Sequence, residues 1–117
     1  MKGQTMDLIY RLKASGDGEV SRPAPEKLVS GDPVFTTWNM EDMDGLYAGI
    51  WQSTAGRWRI SYDEWEYCHI LEGHSVIHGQ EGSCLEVKAG DSFILRPGFV
   101  GEWDVIETTV KEYVIRV

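Results

Sequence analysis

Glu66 is the residue whose type and position most clearly suggest chemistry. It begins the segment EYCHILEG, residues 66–73, whose apolar side chains predict a β-strand. Successive side chains of a strand point to opposite faces, so Glu66 shares one face with Cys68 and Ile70. A carboxylate on an apolar face must be paired, lie at an opening or bind something. It is therefore either a metal ligand or acid–base group, or a structural carboxylate bonded to a tyrosine, a tryptophan or an arginine, and the residues alone favour the structural role.

The three histidines of the chain do not have the spacing of a metal site. His69 lies on the strand face opposite to Glu66. His74 and His78 are four residues apart, which is about 13 Å along a strand, whereas the ligands of one metal must converge on a point. The histidines are therefore predicted to face solvent or a subunit contact.

Aromatic residues are abundant, with five tryptophans and five tyrosines. Trp58, Trp65 and Trp103 could form the floor of a ligand pocket, or they could simply fill the core. The chain contains no Ser-His-Asp order, no G-x-S-x-G elbow and no phosphate-binding loop. The sequence therefore offers no motif of nucleophilic catalysis or of nucleotide binding.

The charge balance excludes some classes of partner. A net charge of −8 leaves no basic face for a phosphate backbone, so nucleic acids and anionic membranes are not expected partners. No run of about 18 apolar residues predicts a membrane span, and the first residues do not resemble a signal peptide. Cys68 and Cys84 are expected to be free thiols in a reducing compartment, which predicts a cytoplasmic protein.

Short apolar segments separated by glycine turns predict an all-β protein with one domain and eight to ten strands. Three of the four prolines lie in residues 16–33, which are predicted to form an extended polar arm on the barrel exterior, on a second subunit or as a loose tail. Residues 1–21 are predicted to be a strand or a tail. The predicted strands are 34–40, 46–53, 57–62, 66–71, 74–78, 83–88, 92–95, 101–106 and 110–117, with a turn at 41–45.

Two segments resemble the cupin superfamily, namely GRWRISYDEWEYCHILEG at 56–73 and AGDSFILRPGFVGEWDV at 89–105. The blocks RPAPEKLVSGDP, GIWQSTAGRW and KEYVIRV are similar to its ureidoglycine aminohydrolase-like branch of small proteins. This resemblance implies a single domain over residues 22–117. It also implies an RmlC-like jelly-roll barrel (a double-stranded β-helix) and often a homodimer.

The resemblance also implies where the metal ligands of a cupin would lie. In the first cupin motif two histidines precede a glutamate, which a glycine follows seven residues later. Glu66 and Gly73 keep the latter spacing, but Ile60 and Tyr62 lie near the histidine positions, and Gly101 lies near the histidine of the second motif. One carboxylate alone does not hold a catalytic transition metal. The resemblance therefore predicts a degenerate metal site and no metal cofactor.

The pocket implied by this alignment suits a small polar or cationic ligand that Glu66 and Tyr62 would orient. The first hypothesis is thus a metal-free cupin that binds a small molecule. The second is a small-molecule enzyme similar to ureidoglycine aminohydrolase or a related lyase or isomerase, with Glu66 as general acid or base and Tyr62 as its hydrogen-bonding partner. The third is a structural homodimer with a packed barrel. The predicted pocket residues are Trp58, Ile60, Tyr62, Glu66, Cys68 and Trp103.

Overall fold

The computed structural model describes residues 7–117, which form nine β-strands and one 3-10 turn at Pro25–Lys27. All strand pairings in this part of the chain are antiparallel. The all-β prediction is therefore confirmed. No helix among the described residues has the length and hydropathy of a membrane-spanning segment. The strands are β1 Glu19–Ser21, β2 Leu28–Gly31, β3 Phe35–Met43, β4 Leu46–Ser53, β5 Gly56–Ser61, β6 Trp65–Gly79, β7 Cys84–Lys88, β8 Ser92–Leu95 and β9 Val100–Arg116.

Two long strands, β6 and β9, pair with each other along most of their length and belong to two sheets at once. The first half of β9 also pairs with β5 and its second half with β4. The first half of β6 also pairs with β8 and its second half with β7. One sheet thus has the order β1-β3-β4-β9-β6-β8 and the other has the order β2-β5-β9-β6-β7. Two such sheets around one core form a jelly roll, as predicted.

The core lies between the sheets and draws inward-facing side chains from five strands. Alternate residues of β6 are buried, which confirms that Glu66, Cys68 and Ile70 share the inner face. Burial of each large apolar side chain contributes roughly 1.5–3 kcal/mol to stability. The buried cluster consists of Trp58, Cys68, Ile70, Ile77, Val87, Leu95, Trp103 and Val105.

The predicted strand end at Glu72 and Gly73 is wrong, because β6 continues to Gly79. The predicted pair of strands at 101–106 and 110–117 is also a single strand, β9. Instead of ending, β6 shifts its register against β9 several times between Ile70 and Ser75. Gly73 has a φ of +96°, and a Cβ atom there would lie 2.1 Å from the carbonyl oxygen of Thr108. The glycine that resembles a turn signal is therefore the site of a bulge with close backbone contact.

The predicted five-residue turn at 41–45 is wrong as well. β3 continues to Met43, and an irregularity between Asn39 and Glu41 absorbs the extra residue in the β3–β4 ladder. The connection is a two-residue turn at Asp44 and Gly45, both with positive φ, as in the hairpin turns that match strand twist.

Residues 16–32 form a mostly exposed, extended arm, whereas Pro33 at the end of the predicted arm is buried. β1 and β2 pair with β3 and β5 at the outer edges of the two sheets. Pro23 and Pro25 lie between these edge strands, where no ladder hydrogen bond is needed. The Trp38 indole N–H donates a hydrogen bond to the carbonyl oxygen of Gly16 at 3.0 Å. Of the segment 1–21 that was predicted to be a strand or a tail, residues 1–6 lie outside the described residues, residues 7–18 contain no strand or helix, and Glu19–Ser21 is strand β1.

Candidate functional site

A cavity of about 480 Å³ lies between the two sheets. The planes of Trp58 on β5 and Trp103 on β9 are stacked at 4° with centroids 6.4 Å apart, and Trp51 on β4 is tilted against both. Trp58 and Trp103 are ladder partners in one sheet, whereas Trp51 lies on β4 in the other sheet, so aromatic side chains line the cavity from both sheets. Its aromatic lining is Phe35, Tyr47, Trp51, Trp58, Tyr62, Trp103 and Tyr113.

Glu66 lies at this cavity with only 3% of its surface exposed. The Tyr62 hydroxyl donates a hydrogen bond to Glu66 Oε1 at 2.6 Å. The Lys111 ammonium donates to Glu66 Oε2 at 2.8 Å and forms a buried ion pair with it. The carboxylate therefore uses both oxygens, one with a neutral donor and one with a charged donor.

Lys111 lies on β9 and is 4% exposed. Its Nζ atom is 3.5 Å from Cys68 Sγ. The same atom lies 4.7 Å from the ring centroid of Trp51 and 4.4 Å from that of Trp103. Aromatic faces at such distances attract a cation. The buried ammonium is thus held by a carboxylate, a thiol and two indole rings.

These contacts set the protonation states of the group. Burial acts to raise the pKa of Glu66, but the charge and hydrogen bond of Lys111 and the hydrogen bond of Tyr62 outweigh it, so this pKa lies below its ordinary value. Burial acts to lower the pKa of Lys111, but the adjacent Cys68 and Glu66 outweigh this effect, so the pKa of Lys111 is raised. Burial and the Glu66 charge hold the pKa of Tyr62 well above its ordinary value. Burial raises the pKa of Cys68 to about 12. At neutral pH the group is therefore a carboxylate and an ammonium beside a neutral phenol and a neutral thiol.

Most of the predicted pocket residues meet at this cavity. Its lining includes the predicted residues Trp58, Ile60, Tyr62, Glu66 and Trp103. Cys68 differs, because it is fully buried and contacts the Lys111 ammonium without lining the cavity.

Lys111, Trp51 and Tyr113 line the cavity but were not predicted. In the segment VKEYVIRV one face of the strand has Lys111, Tyr113, Ile115 and Val117, and the other has Val110, Glu112, Val114 and Arg116. The face with Lys111 has fewer charged residues and is the inner one. The alternation was therefore a signal that could have placed Lys111 inside, although a lysine is usually exposed. Tyr113 is also buried, and its hydroxyl donates to Asn39 Oδ1 at 2.6 Å.

The three histidines lie on the outer face of β6, where each is half-buried, and they do not converge. His69 contacts the Ser92 hydroxyl at 2.8 Å, His74 contacts Glu86 at 2.6 Å, and His78 Nε2 lies 3.9 Å from Asp104 Oδ2. None of the three lines the inner cavity.

The side chains present do not fit the transition metal that a complete cupin ligand set would hold. Within residues 7–117 no three histidine, cysteine, aspartate or glutamate side chains converge. The Lys111 ammonium already neutralises Glu66. At Gly101, near the expected position of the second-motif histidine, a Cβ atom would lie 1.9 Å from the carbonyl oxygen of His78. No side chain can therefore be placed there unless β6 moves away from β9.

The model of the EutQ-like cupin domain family matches residues 40–113, which is more than half of the chain. A DUF861-family protein of unknown function from Pseudomonas syringae pv. tomato has a similar solved structure, with a TM-score of 0.75 and 26% sequence identity. The alignment covers 94% of this chain and 46% of that protein.

Two EutQ proteins share the fold at lower identity. The Clostridium difficile EutQ protein has a TM-score of 0.66 at 15% identity, with 72% of this chain and 63% of that protein covered. A putative ethanolamine utilization protein from Salmonella typhimurium has a TM-score of 0.64 at 20% identity, with 81% and 77% covered. The chain thus spans less than two thirds of the C. difficile and P. syringae proteins. No curated protein sequence matches it significantly.

Proposed function

The chain belongs to the family of EutQ-like cupin domains, and from that premise we propose that it binds a small molecule without a metal. In this proposal the buried Lys111 ammonium supplies the positive charge that a transition metal supplies in a cupin with a full ligand set. The predicted cupin resemblance is confirmed at the level of the superfamily. The finer resemblance to ureidoglycine aminohydrolase supports only the alternative enzyme function considered below.

The observation that carries the proposal is the 2.8 Å contact between Lys111 Nζ and Glu66 Oε2 beside an aromatic cavity. A buried pair of opposite charges leaves no net charge that a metal ion would have to balance. The cavity volume of about 480 Å³ lies within the range of small-molecule sites. The site therefore keeps the pocket of a cupin but replaces its metal chemistry with a fixed ion pair.

The free hydrogen-bonding capacity of this pair supports a class of ligand. An ammonium has three donors, and Lys111 directs two of them to Glu66 and Cys68, which leaves one for a ligand acceptor. Each Glu66 oxygen accepts one hydrogen bond from the protein and keeps a second lone pair for a ligand donor. The proposed ligand is therefore neutral, carries a donor and an acceptor on neighbouring atoms, and has a flat or CH-rich face for the indole rings. Amides and polyols have these properties. The Lys111 ammonium disfavours a cationic group beside Glu66, whereas Glu19 and Glu64 also line the cavity and add negative charge to another part of its lining.

The alternative is an enzyme in which Glu66 acts as a general acid or base with Tyr62 as its partner. A proton-transfer group works best when its pKa is close to the working pH. Here the pKa of Glu66 is lowered and that of Tyr62 is raised, so both are moved away from neutrality. This electrostatic arrangement supports the binding of a ligand by fixed charges more than the transfer of a proton. We therefore propose ligand binding ahead of catalysis.

The binding function is tested by intrinsic tryptophan fluorescence and thermal shift, because Trp51, Trp58 and Trp103 line the cavity. The probes are neutral amides and polyols with cationic and anionic analogues of matched size. We expect saturable fluorescence changes with neutral probes, a loss of at least tenfold in affinity in Glu66→Gln, and no change in the exposed control Glu72→Gln. Turnover of a probe by the wild type that Glu66→Gln abolishes would favour the enzyme instead. Equal binding by Glu66→Gln and the wild type would overturn both proposals.

Metal independence has its own test, which is elemental analysis of protein expressed with manganese, zinc, iron and nickel supplied. We expect well below one metal ion per chain. A stoichiometric metal that Glu66→Gln removes would contradict the proposed role of Lys111.

Cytoplasmic location and a homodimer remain part of the proposal, and neither nucleic acid nor membrane is a proposed partner. The dimer is supported by the cupin family and by the exposed arm, whose strands β1 and β2 lie at sheet edges. Light scattering at micromolar concentration tests the proposed homodimer, and the mass of a monomer would contradict it.

A further inference from the structure

A second cavity, of about 510 Å³, lies on the outer side of the barrel. Its strands are β5, β9 and the end of β6. Side chains of β5 alternate, so that Trp58 is buried in the core while Arg57 and Arg59 line this outer cavity. Ile60 borders both cavities. The outer cavity is therefore separate from the aromatic one, although both are built on the same strand.

Arg57 occupies the carboxylates nearest to the outer cavity. Its Nε atom lies 2.6 Å from Glu102 Oε1, and its NH1 atom lies 3.7 Å from Asp104 Oδ2. Arg59 pairs with Glu102 in the β5–β9 ladder, yet the ion pair of Glu102 is formed with Arg57. Arg57 therefore contacts both acidic groups, which could otherwise have neutralised Arg57 and Arg59 separately.

Among residues 7–117, Arg59 and Lys27 form no ion pair, and His78 shares Asp104 with Arg57. Arg59 donates a single hydrogen bond, at 3.2 Å, to the backbone carbonyl of Glu26, although a guanidinium has five donors. Lys27, from the 3-10 turn of the arm, lines the cavity and forms no ion pair with the described residues. His78 Nε2 is buried and has no hydrogen-bond partner in this part of the chain; the nearest carboxylate oxygen in ion-pair range is Asp104 Oδ2, at 3.9 Å.

We infer that the outer cavity binds the oxyanion of a small molecule, a phosphate or a carboxylate, through Arg59, with Lys27 and His78 beside it. The lining of this cavity includes three permanent cations and one carboxylate, that of Glu102, on a chain whose net charge is −8. A local excess of positive charge on an acidic protein attracts small anions to that place. The planar fork of a guanidinium matches the geometry of phosphate and carboxylate oxygens. The concave shape and the volume suit a metabolite more than a flat protein surface.

The inference is tested by NMR titration of the full chain with sodium phosphate or sodium acetate, with sodium chloride keeping the ionic strength constant. The reporters are the Arg59 Nε–H resonance and the His78 ring resonances. We expect saturable shifts at both residues with phosphate and an affinity at least tenfold weaker in Arg59→Gln. The matched control is Arg116→Gln, since Arg116 is also exposed and also donates to one backbone carbonyl, that of Asp44. We expect this control to bind like the wild type.

The outcomes separate the sources of the oxyanion. Saturation by phosphate alone supports a phosphoryl ligand, and saturation by acetate as well supports any small oxyanion. Shifts that do not saturate, or that chloride reproduces, would overturn the inference. So would an equal loss of affinity in Arg116→Gln. Tryptophan fluorescence should not respond to phosphate, so this test is independent of the aromatic cavity.

Discussion

The Lys111 ammonium lies 2.8 Å from Glu66 Oε2, although the two residues are not partners in the β6–β9 ladder. Lys111 pairs with Ile70, and Glu66 pairs with Ile115. The lysine side chain therefore extends along the inner face of β6, past Cys68, to reach the carboxylate. A buried pair of this kind loses much hydration energy, which direct contact and further hydrogen bonds offset. The consequences of changing one member or both members of the pair differ accordingly.

Lys111→Met should destabilise the fold by about 3–5 kcal/mol, because it leaves a buried carboxylate without its cation. The double variant Lys111→Met with Glu66→Gln should recover most of this loss, because it leaves no buried charge. Urea unfolding monitored by tryptophan fluorescence measures both values. Lys88→Met, at an exposed position, should change stability by less than about 0.5 kcal/mol. The single variant Glu66→Gln completes the cycle, and a double variant whose loss equals the sum of the two single losses would show that the two side chains are not coupled.

The ion pair between Glu66 and Lys111 should make the free energy of unfolding depend on pH in the acidic range. The pKa of Glu66 is lowered in the folded state, so its contribution is present above its ordinary pKa of 4.5 and is lost as the pH falls through the folded value. Wild-type protein should therefore lose more stability below about pH 5 than the Glu66→Gln, Lys111→Met double variant does. Unfolding midpoints in urea from neutral pH to pH 3 measure this difference. Parallel curves for the two proteins would contradict the assigned ion pair.

Cys68 should limit stability in alkali. Its pKa rises from 9.0 to about 12 on folding, so the neutral thiol contributes fully below pH 9 and loses this contribution as the pH rises toward 12. The expected slope from this group is up to about 1.4 kcal/mol for each pH unit above 9. Cys68→Ala should remove that slope, at a constant cost for the small cavity that it creates. Cys84→Ala, at an exposed cysteine, should keep the slope, and a similar loss of slope in both variants would refute the assignment.

Gly73 and Gly90 form a matched pair for testing the bulge between β6 and β9. Their φ values are +96° and +97°, but a Cβ atom at Gly73 would lie 2.1 Å from Thr108 O, whereas none of the surrounding atoms lies within 4 Å at Gly90. Gly90→Ala should cost about 1–2 kcal/mol for its backbone conformation alone. Gly73→Ala should cost at least about 2 kcal/mol more, because β9 must move away. Thermal unfolding compares them, and equal costs would show that the close contact is not needed.

Local alternation and the cupin resemblance together predicted much of the site. The period of two in residues 66–71 predicted the shared face of Glu66, Cys68 and Ile70, the resemblance implied that Trp58 and Ile60 line the pocket, and the structure places Trp58, Ile60 and Glu66 at the cavity. The same reasoning failed where the local signal was ambiguous. Gly73 resembled a strand end, and only the shifts of β6 against β9 show that it is a bulge. Lys111 resembled a surface residue, because nothing near it in sequence indicates a buried carboxylate.

The sequence by itself determined the all-β class, the positions of most strands but not all of their ends, and the single glutamate on an apolar face. These features depend on residues that are close together in the sequence, because successive side chains of a strand point to opposite faces. Only the tertiary structure decided which groups meet that glutamate. Glu66 and Lys111 are separated by 45 residues, and the register of β6 against β9 and the packing of two sheets bring them together. The register depends on bulges and on the closure of the whole barrel, so no single segment encodes it.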